Sequence, residues 1–227
     1  MLTLAVDTST PAVTAGVAEV DADGDVRLLS EQVLVNDRAH GEQLTPLIAA
    51  ALAEAGGAPG DLKAIVAGRG PGPFTGLRAG LATATALGSA LQIPTYGVGS
   101  LEAMAVETNV ADEEVLVASD ARRKEIYWIL AATAAAGRRS GSSDDPKVNR
   151  PEELPPEARK AARAVGDGAR KYADVLGLPV SDPLYPPAAG LLRLAAARVA
   201  GNAPGETLTP IYLRRPNVNI AGKQRRV

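Results

Sequence analysis

A two-lobed α/β fold built on mixed sheets is predicted by three observations. A run of three strand-like segments opens the chain, helix and strand then alternate, and a strand, tight turn and strand return past the midpoint. Leu2 to Asp7 and Ala12 to Val20 read as strands joined across Thr8-Ser9-Thr10-Pro11, and Val26 to Val35 follows the Asp23-Gly24 turn, making an antiparallel start. Leu44, Leu47, Ile48, Ala51, Leu52 and Ala55 then form one apolar helical stripe, ended by Gly56-Gly57. A strand from Leu62 to Ala67, a glycine-rich loop, a helix from Gly76 to Leu91, a strand around Ile93 to Val98 and a helix after Ser100 complete a ribonuclease-H-like lobe. Asn109 to Glu114 is polar and acidic, which suits a lobe boundary. Beyond it Val115 to Ser119, a turn at Asp120 to Lys124, and Glu125 to Thr133 echo the opening and predict a duplicated lobe. A surface loop follows over 137–145, then helical patterns at Glu152 to Arg163, Ala169 to Leu176 and Ala188 to Ala200. The expected division is a first lobe over 1–108, an abbreviated second lobe over 109–205 and a basic tail over 206–227.

Composition narrows the functional classes. With 227 residues, 46% of them hydrophobic, one or two globular lobes are expected, and the longest apolar or small run, Ile126 to Gly137, is too short to span a membrane. Met1 leads straight into a strand, so no signal peptide is expected. The absence of cysteine excludes disulfide and thiolate chemistry within the chain and fits a reducing cytoplasm. A net charge of −2 argues against unaided, field-driven grip on nucleic acid. Positive charge is instead local: Arg122, Arg123 and Lys124 in one turn, Arg138 and Arg139 in a loop, and five cations with no acid after Glu206.

The stretch Gly68 to Arg78, Gly-Arg-Gly-Pro-Gly-Pro-Phe-Thr-Gly-Leu-Arg, sits between a strand and a helix, where phosphate loops occur. The phosphate-loop spacing fails, because Pro73, Thr75 or Leu77 stands where the second glycine is needed. The dinucleotide fingerprint fails as well, with Pro73 and Thr75 at its third-glycine position. Pro71 and Pro73 lack an N–H and fix their own φ, so the loop is expected to be rigid, with Gly70, Gly72, Phe74, Thr75, Gly76 and Arg78 as its signature residues.

Together with Leu4-Ala5-Val6-Asp7-Thr8-Ser9-Thr10, Asp120-Ala-Arg-Arg-Lys-Glu-Ile-Tyr127 and Pro210-Ile-Tyr-Leu-Arg214, this loop resembles the TsaB family, bacterial partner subunits of the machinery that makes threonylcarbamoyladenosine in tRNA. Separated motifs in a fixed order are far more specific than any one of them. The resemblance implies a two-lobed actin-like fold of the hexokinase and Hsp70 class. It also implies a non-catalytic scaffold that binds and supports TsaD, the subunit that modifies adenosine 37 of ANN-decoding tRNAs. TsaE, an ATPase, would be a further partner, with tRNA met through the complex and a homodimer formed when the chain is alone. No cofactor is implied for this chain by itself, though ATP or ADP at a subunit junction is compatible. The alternative is an independent ATP-dependent enzyme of the actin and hexokinase-like class using Asp7; a peptidase ranks third.

The residues bear on these readings separately. Asp7, Thr8 and Ser9 end the first strand, where actin-like kinases place a magnesium-binding carboxylate, but an Asp-Thr-Ser turn bonded to its own backbone fits equally. Bulky Arg122 and Arg123 occupy the second turn, where such an ATPase needs glycine, and leave only a contact to nucleotide at a shared surface. One histidine and no cysteine cannot make a thiolate or multi-histidine metal site, and no catalytic residue is assigned. His40 lies beside the Leu44 and Leu47 face and suits a packed histidine; a Ser-His-Asp hydrolase would need it, and no G-x-S-x-G elbow is present. Opposite the core stripes, Pro46, Ala49, Ala50 and Ala53 on one helix and Ala79, Ala82, Thr83, Ala86 and Ala90 on another make faces of small residues without charge. Alanine-rich exposed helix and helix-packing interface are both open from the residues; the resemblance favours the interface.

Overall fold

The computed structural model of the chain describes residues 1–36, 40–108, 113–132 and 145–214, and for His40 the backbone only. Two five-stranded sheets carry the same topology. The first has order β3-β2-β1-β4-β5, from β1 (Leu2–Asp7), β2 (Ala12–Val20), β3 (Val26–Val35), β4 (Ala64–Gly68) and β5 (Thr95–Val98). The second has order β10-β9-β6-β7-β8, from β6 (Glu114–Asp120), β7 (Ile126–Ala132), β8 (Lys147–Asn149), β9 (Arg163–Val165) and β10 (Val180–Ser181). In each, the opening three strands form an antiparallel meander and the last two join in parallel, β1 to β4 to β5 and β6 to β9 to β10. The duplication anticipated from the returning strand, turn and strand pattern is therefore a full repeat of strand order.

Helices separate the buried faces. α1 (His40–Glu54) and α2 (Phe74–Leu91) lie side by side on one face of the first sheet, where Leu44, Ile48, Leu52, Leu81 and Ala84 join Leu4, Val6, Val17 and Ile65 in one core. The other face is covered by α6 (Ala188–Ala200) through Leu191, Leu192, Ala195 and Val199. α3 (Ser100–Ala105) packs on α6 and also on β6 and β7, where Leu101 and Met104 meet Val115, Val117 and Ile129. The outer face of the second sheet is closed by α4 (Asp167–Lys171) and α5 (Ala173–Leu176) around Trp128. β1 and β2 are buried on both faces, and their near-continuous Val, Ala and Leu content follows from that position.

The structure differs from the sequence reading in several places. No helix forms over Glu152 to Arg163: two single 3₁₀ turns, Pro151–Glu153 and Ala158–Lys160, precede β9, because Pro155 and Pro156 remove two backbone donors within the apparent helical period. The pattern at Ala169 to Leu176 is split into α4 and α5 at Tyr172, whose φ of −114° leaves the helical range. α2 begins at Phe74, two residues before Gly76, directly after Pro73. The helix Ala188–Ala200, which follows the second sheet in sequence, covers the first sheet. The 137–144 loop, residues 109–112 of the boundary stretch and the end of the tail from 215 lie outside the described residues.

Candidate functional site

The first arrangement is a closed corner where β1, the glycine-rich loop and α3 meet. Asp7 is 1% exposed, and its carboxylate accepts hydrogen bonds from the Ser9 N–H at 2.8 Å, the Ser9 hydroxyl at 2.7 Å and the Ser100 hydroxyl at 2.5 Å. Ser100 in turn accepts from the Gly70 N–H at 3.0 Å, while its own N–H donates to the Gly70 carbonyl at 3.0 Å. Thr8, also buried, donates to the Gly76 carbonyl in the first turn of α2 at 2.7 Å. The glycines permit this approach: a Cβ on Gly72 would lie 2.2 Å from the Ser9 carbonyl oxygen, and one on Gly80 2.2 Å from Thr8 Oγ1. Asp7, Thr8 and Ser9 thus face the chain's own loop and helices. Gly70, Gly72 and Gly76 are buried in this corner, Phe74 is half-buried, and Thr75 and Arg78 are exposed.

The second arrangement is the turn from β6 to β7. Arg122, Arg123 and Lys124 all adopt left-handed backbone, with φ of 59°, 54° and 62°. For non-glycine residues this costs about 1–2 kcal/mol each, so the surroundings must hold it. Asp120 does so by accepting the Arg122 N–H at 3.2 Å and pairing with Lys171 at 2.8 Å, and the Ala121 N–H bonds the Glu125 carbonyl at 2.9 Å. The Asp120 N–H donates to Asp167 at 3.3 Å. Burial, countered by backbone hydrogen bonds and reinforced by the charge of Asp120, pushes Asp167 up to about 6. Arg122 and Arg123 are exposed. The structure puts them and Asp7 on corresponding turns of separate sheets, one exposed and one buried, rather than in one pocket.

The C-terminal segment links these two places, which the basic composition of the tail did not announce. The Glu206 N–H donates to Thr95 O at 2.8 Å, and the Ile211 N–H donates to Arg69 O at 2.8 Å. Tyr212 stacks on Phe74 with ring centroids 4.6 Å apart and accepts from Arg78 Nε at 3.1 Å. Arg214 donates to the Ala121 carbonyl at 2.8 Å, pairs with Glu125 and lies over the Tyr127 ring. Residues 206–214 are therefore a strap across both sheets. Ser100 and Asp167 are site residues that local patterns missed, and Tyr212 and Arg214 stand in the Pro210 to Arg214 motif without a role assigned from sequence, since each acquires its role from partners distant in sequence.

The third arrangement is the paired helical face. Pro46, Ala49, Ala50 and Ala53 are exposed on α1, Ala82, Ala86 and Ala90 are exposed on α2, and Ala79 and Thr83 on α2 are half-buried. Leu44, Ile48, Ala51 and Leu52, and Leu77, Gly80, Leu81, Ala84 and Gly88, point into the core as the stripes require. Among the described residues no group of three or more His, Asp or Glu is gathered as a metal site, and no helix is long and apolar enough to cross a membrane.

Residues 27–145 match the family model described as TsaD: tRNA N6-adenosine threonylcarbamoyltransferase. An uncharacterized protein of Mycobacterium tuberculosis is 47% identical over 215 residues, covering 94% of this chain and 92% of its own. The tRNA threonylcarbamoyladenosine biosynthesis protein TsaB of Escherichia coli is 30% identical over 240 residues, covering 99% of this chain and 98% of its own. A crystal structure from Pseudomonas aeruginosa, described as similar to the peptidase YeaZ, superposes with a TM-score of 0.76 at 31% identity, over 94% of this chain and 99% of that one.

Proposed function

Because this chain belongs to the TsaB family, we propose that it acts in the formation of threonylcarbamoyladenosine in tRNA, as a non-catalytic subunit that binds and supports TsaD. The observation that carries this reading is the broad face of α1 and α2. Apart from Glu42 and Glu54 on α1 and Arg78 on α2, its outward residues are uncharged and mostly small, although the two helices lie side by side and expose them. Small residues let a second pair of helices approach closely enough to pack, and the alanine-lined centre carries no charge to desolvate. The same face serves a homodimer when TsaD is absent, and TsaE and tRNA join through the assembled complex. Asp7 acts as the anchor of a closed corner rather than as a magnesium ligand, which leaves nucleotide only at a junction between subunits, with Arg122 and Arg123 as its contacts. The chain then needs no cofactor of its own, and its place is the cytoplasm.

Ala86→Arg tests the scaffold reading. Ala86 is exposed on α2, so the substitution is expected to change stability by about 0.5 kcal/mol or less. In an interface the same arginine leaves a buried, unpaired charge that costs several kcal/mol of binding. The expected outcome is a folded protein that neither dimerises nor binds TsaD and that no longer supports tRNA modification. Normal association by the variant would move the partner to another surface.

A further inference from the structure

The strap, the start of α2 and the β6–β7 turn bring several cations near Tyr212, which is exposed beside half-buried Phe74. Arg78 bonds Tyr212, and two residues farther on Arg214 bonds Ala121, next to Arg122, Arg123 and Lys124. Arg214 is held below the usual guanidinium range by burial and then by the nearby charge of Arg123, which places these two cations close together. Within this surface Glu125 pairs with Arg214, and Asp120 pairs with Lys171 and accepts the Arg122 N–H. The first turn of α2 contains no acid, so its positive end adds to the same field. Such local charge on a chain of net −2 favours a polyanion at this surface over nonspecific adhesion elsewhere.

We propose that this surface binds single-stranded RNA, with Tyr212 as a stacking platform for a base and Arg78, Arg122, Arg123 and Lys124 as phosphate contacts. The choice of RNA rests on the function proposed above, whereas the polyanion site stands on the geometry. The ring distinguishes RNA from an acidic protein face. Tyr212 is 40% exposed, yet Phe74 and the Arg78 hydrogen bond hold it in one orientation, so a base can stack with little ordering cost. The left-handed turn presents three consecutive cations on backbone held by Asp120, and long side chains there reach phosphates without reordering the loop.

The test is anisotropy of a labelled single-stranded RNA of about ten nucleotides with the full chain, titrated at several salt concentrations. Binding whose logarithm falls against log salt with a slope of about −2 to −3 is expected, as three to four phosphate contacts require. Arg122→Gln, Arg123→Gln and Lys124→Gln combined should make the slope shallower by about 2. Tyr212→Ala should weaken binding roughly tenfold and leave the slope in place. Melting temperature, measured on the same preparations, should fall by about 1–6 °C for Tyr212→Ala, which gives up its Phe74 contact, and stay in place for the triple variant. Absence of salt-dependent binding by the unmodified chain, binding unmoved by both variants, or loss of TsaD association with RNA binding intact would each overturn the proposal. Failure of the unmodified chain to bind TsaD counts against the scaffold function and leaves the RNA measurement to be read independently.

Discussion

Asp7 illustrates how a carboxylate at the end of the first strand can serve structure. Three donors converge on its buried carboxylate, and hydrogen bonds to a charged group contribute about 1.5–3 kcal/mol each. Asp7→Ala is therefore expected to lower stability by several kcal/mol, while modification by the reconstituted complex, assayed below the variant's melting range, stays within about tenfold, or 1.4 kcal/mol. A loss of several orders of magnitude with the fold intact would return the residue to phosphate chemistry. Asp167 makes a pH prediction. Its folded value of about 6 lies above the ordinary carboxylate value of 3.8, so the native state holds the proton more tightly. Stability from this group is complete below about pH 4 and is lost as pH rises through about 6. Asp167→Asn keeps an acceptor for the Asp120 N–H and removes the charge. Its melting temperature should exceed that of the unmodified chain at pH 7.5 and match it near pH 4; an equal gain at both would show that the charge is not the cause.

At the scale of elements, α2 performs two tasks with two faces. Its inner face touches Thr8 through Gly80 and fills the core with Leu77, Leu81 and Ala84; its outer face carries the exposed alanines. Intrinsic propensity and packing make opposite predictions at Gly80. Alanine should stabilise an exposed helix position by about 1 kcal/mol over glycine, but here the new Cβ would lie 2.2 Å from Thr8 Oγ1, which is itself tied to the Gly76 carbonyl. Gly80→Ala is expected to destabilise by about 1–3 kcal/mol in urea unfolding, the cost of overpacking. A stabilised variant would show that the corner has slack. The counterpart in the second sheet is the step from β9 into α4, where Gly166 and Gly168 close on the end of β6: a Cβ on Gly166 would lie 2.1 Å from the Ala118 carbonyl oxygen.

For the whole molecule, the strap adds a second connection between the two sheets beside α3. Leu208 packs on the core beneath α1 and α2, Leu213 packs on the core between α3 and the second sheet, and Arg214 holds the turn. A chain ending at Gly205 loses both leucine contacts, worth about 1.5–3 kcal/mol for each side chain fully buried; both are only partly buried, so about 3 kcal/mol in total is expected. At this chain length, that is a fall of about 6–12 °C in melting temperature. Scanning calorimetry checks it, and separation into two transitions would further show that the strap couples the sheets. An unchanged melting temperature would make residues 206–214 an adornment of an already complete fold.

Much of the fold is legible in the order of residues because period and punctuation are local. β1, β2 and β3 are marked by alternating or continuous apolar segments and short turns, the inner stripes of α1 and α2 by three-and-four spacing, and the repeat by a second strand, turn and strand. Local pattern misled where proline interrupted it, as over Glu152 to Arg163. What only the tertiary structure decided is which distant groups meet. Ser100 closes on Asp7 across 93 positions, and Arg78 meets Tyr212 across 134. The single helix α3 is shared by α6 and the second sheet. Such contacts depend on chain closure rather than on neighbouring residues, so the sequence determined the elements and their faces, while packing determined that Asp7 is enclosed and that the C-terminal segment is a strap.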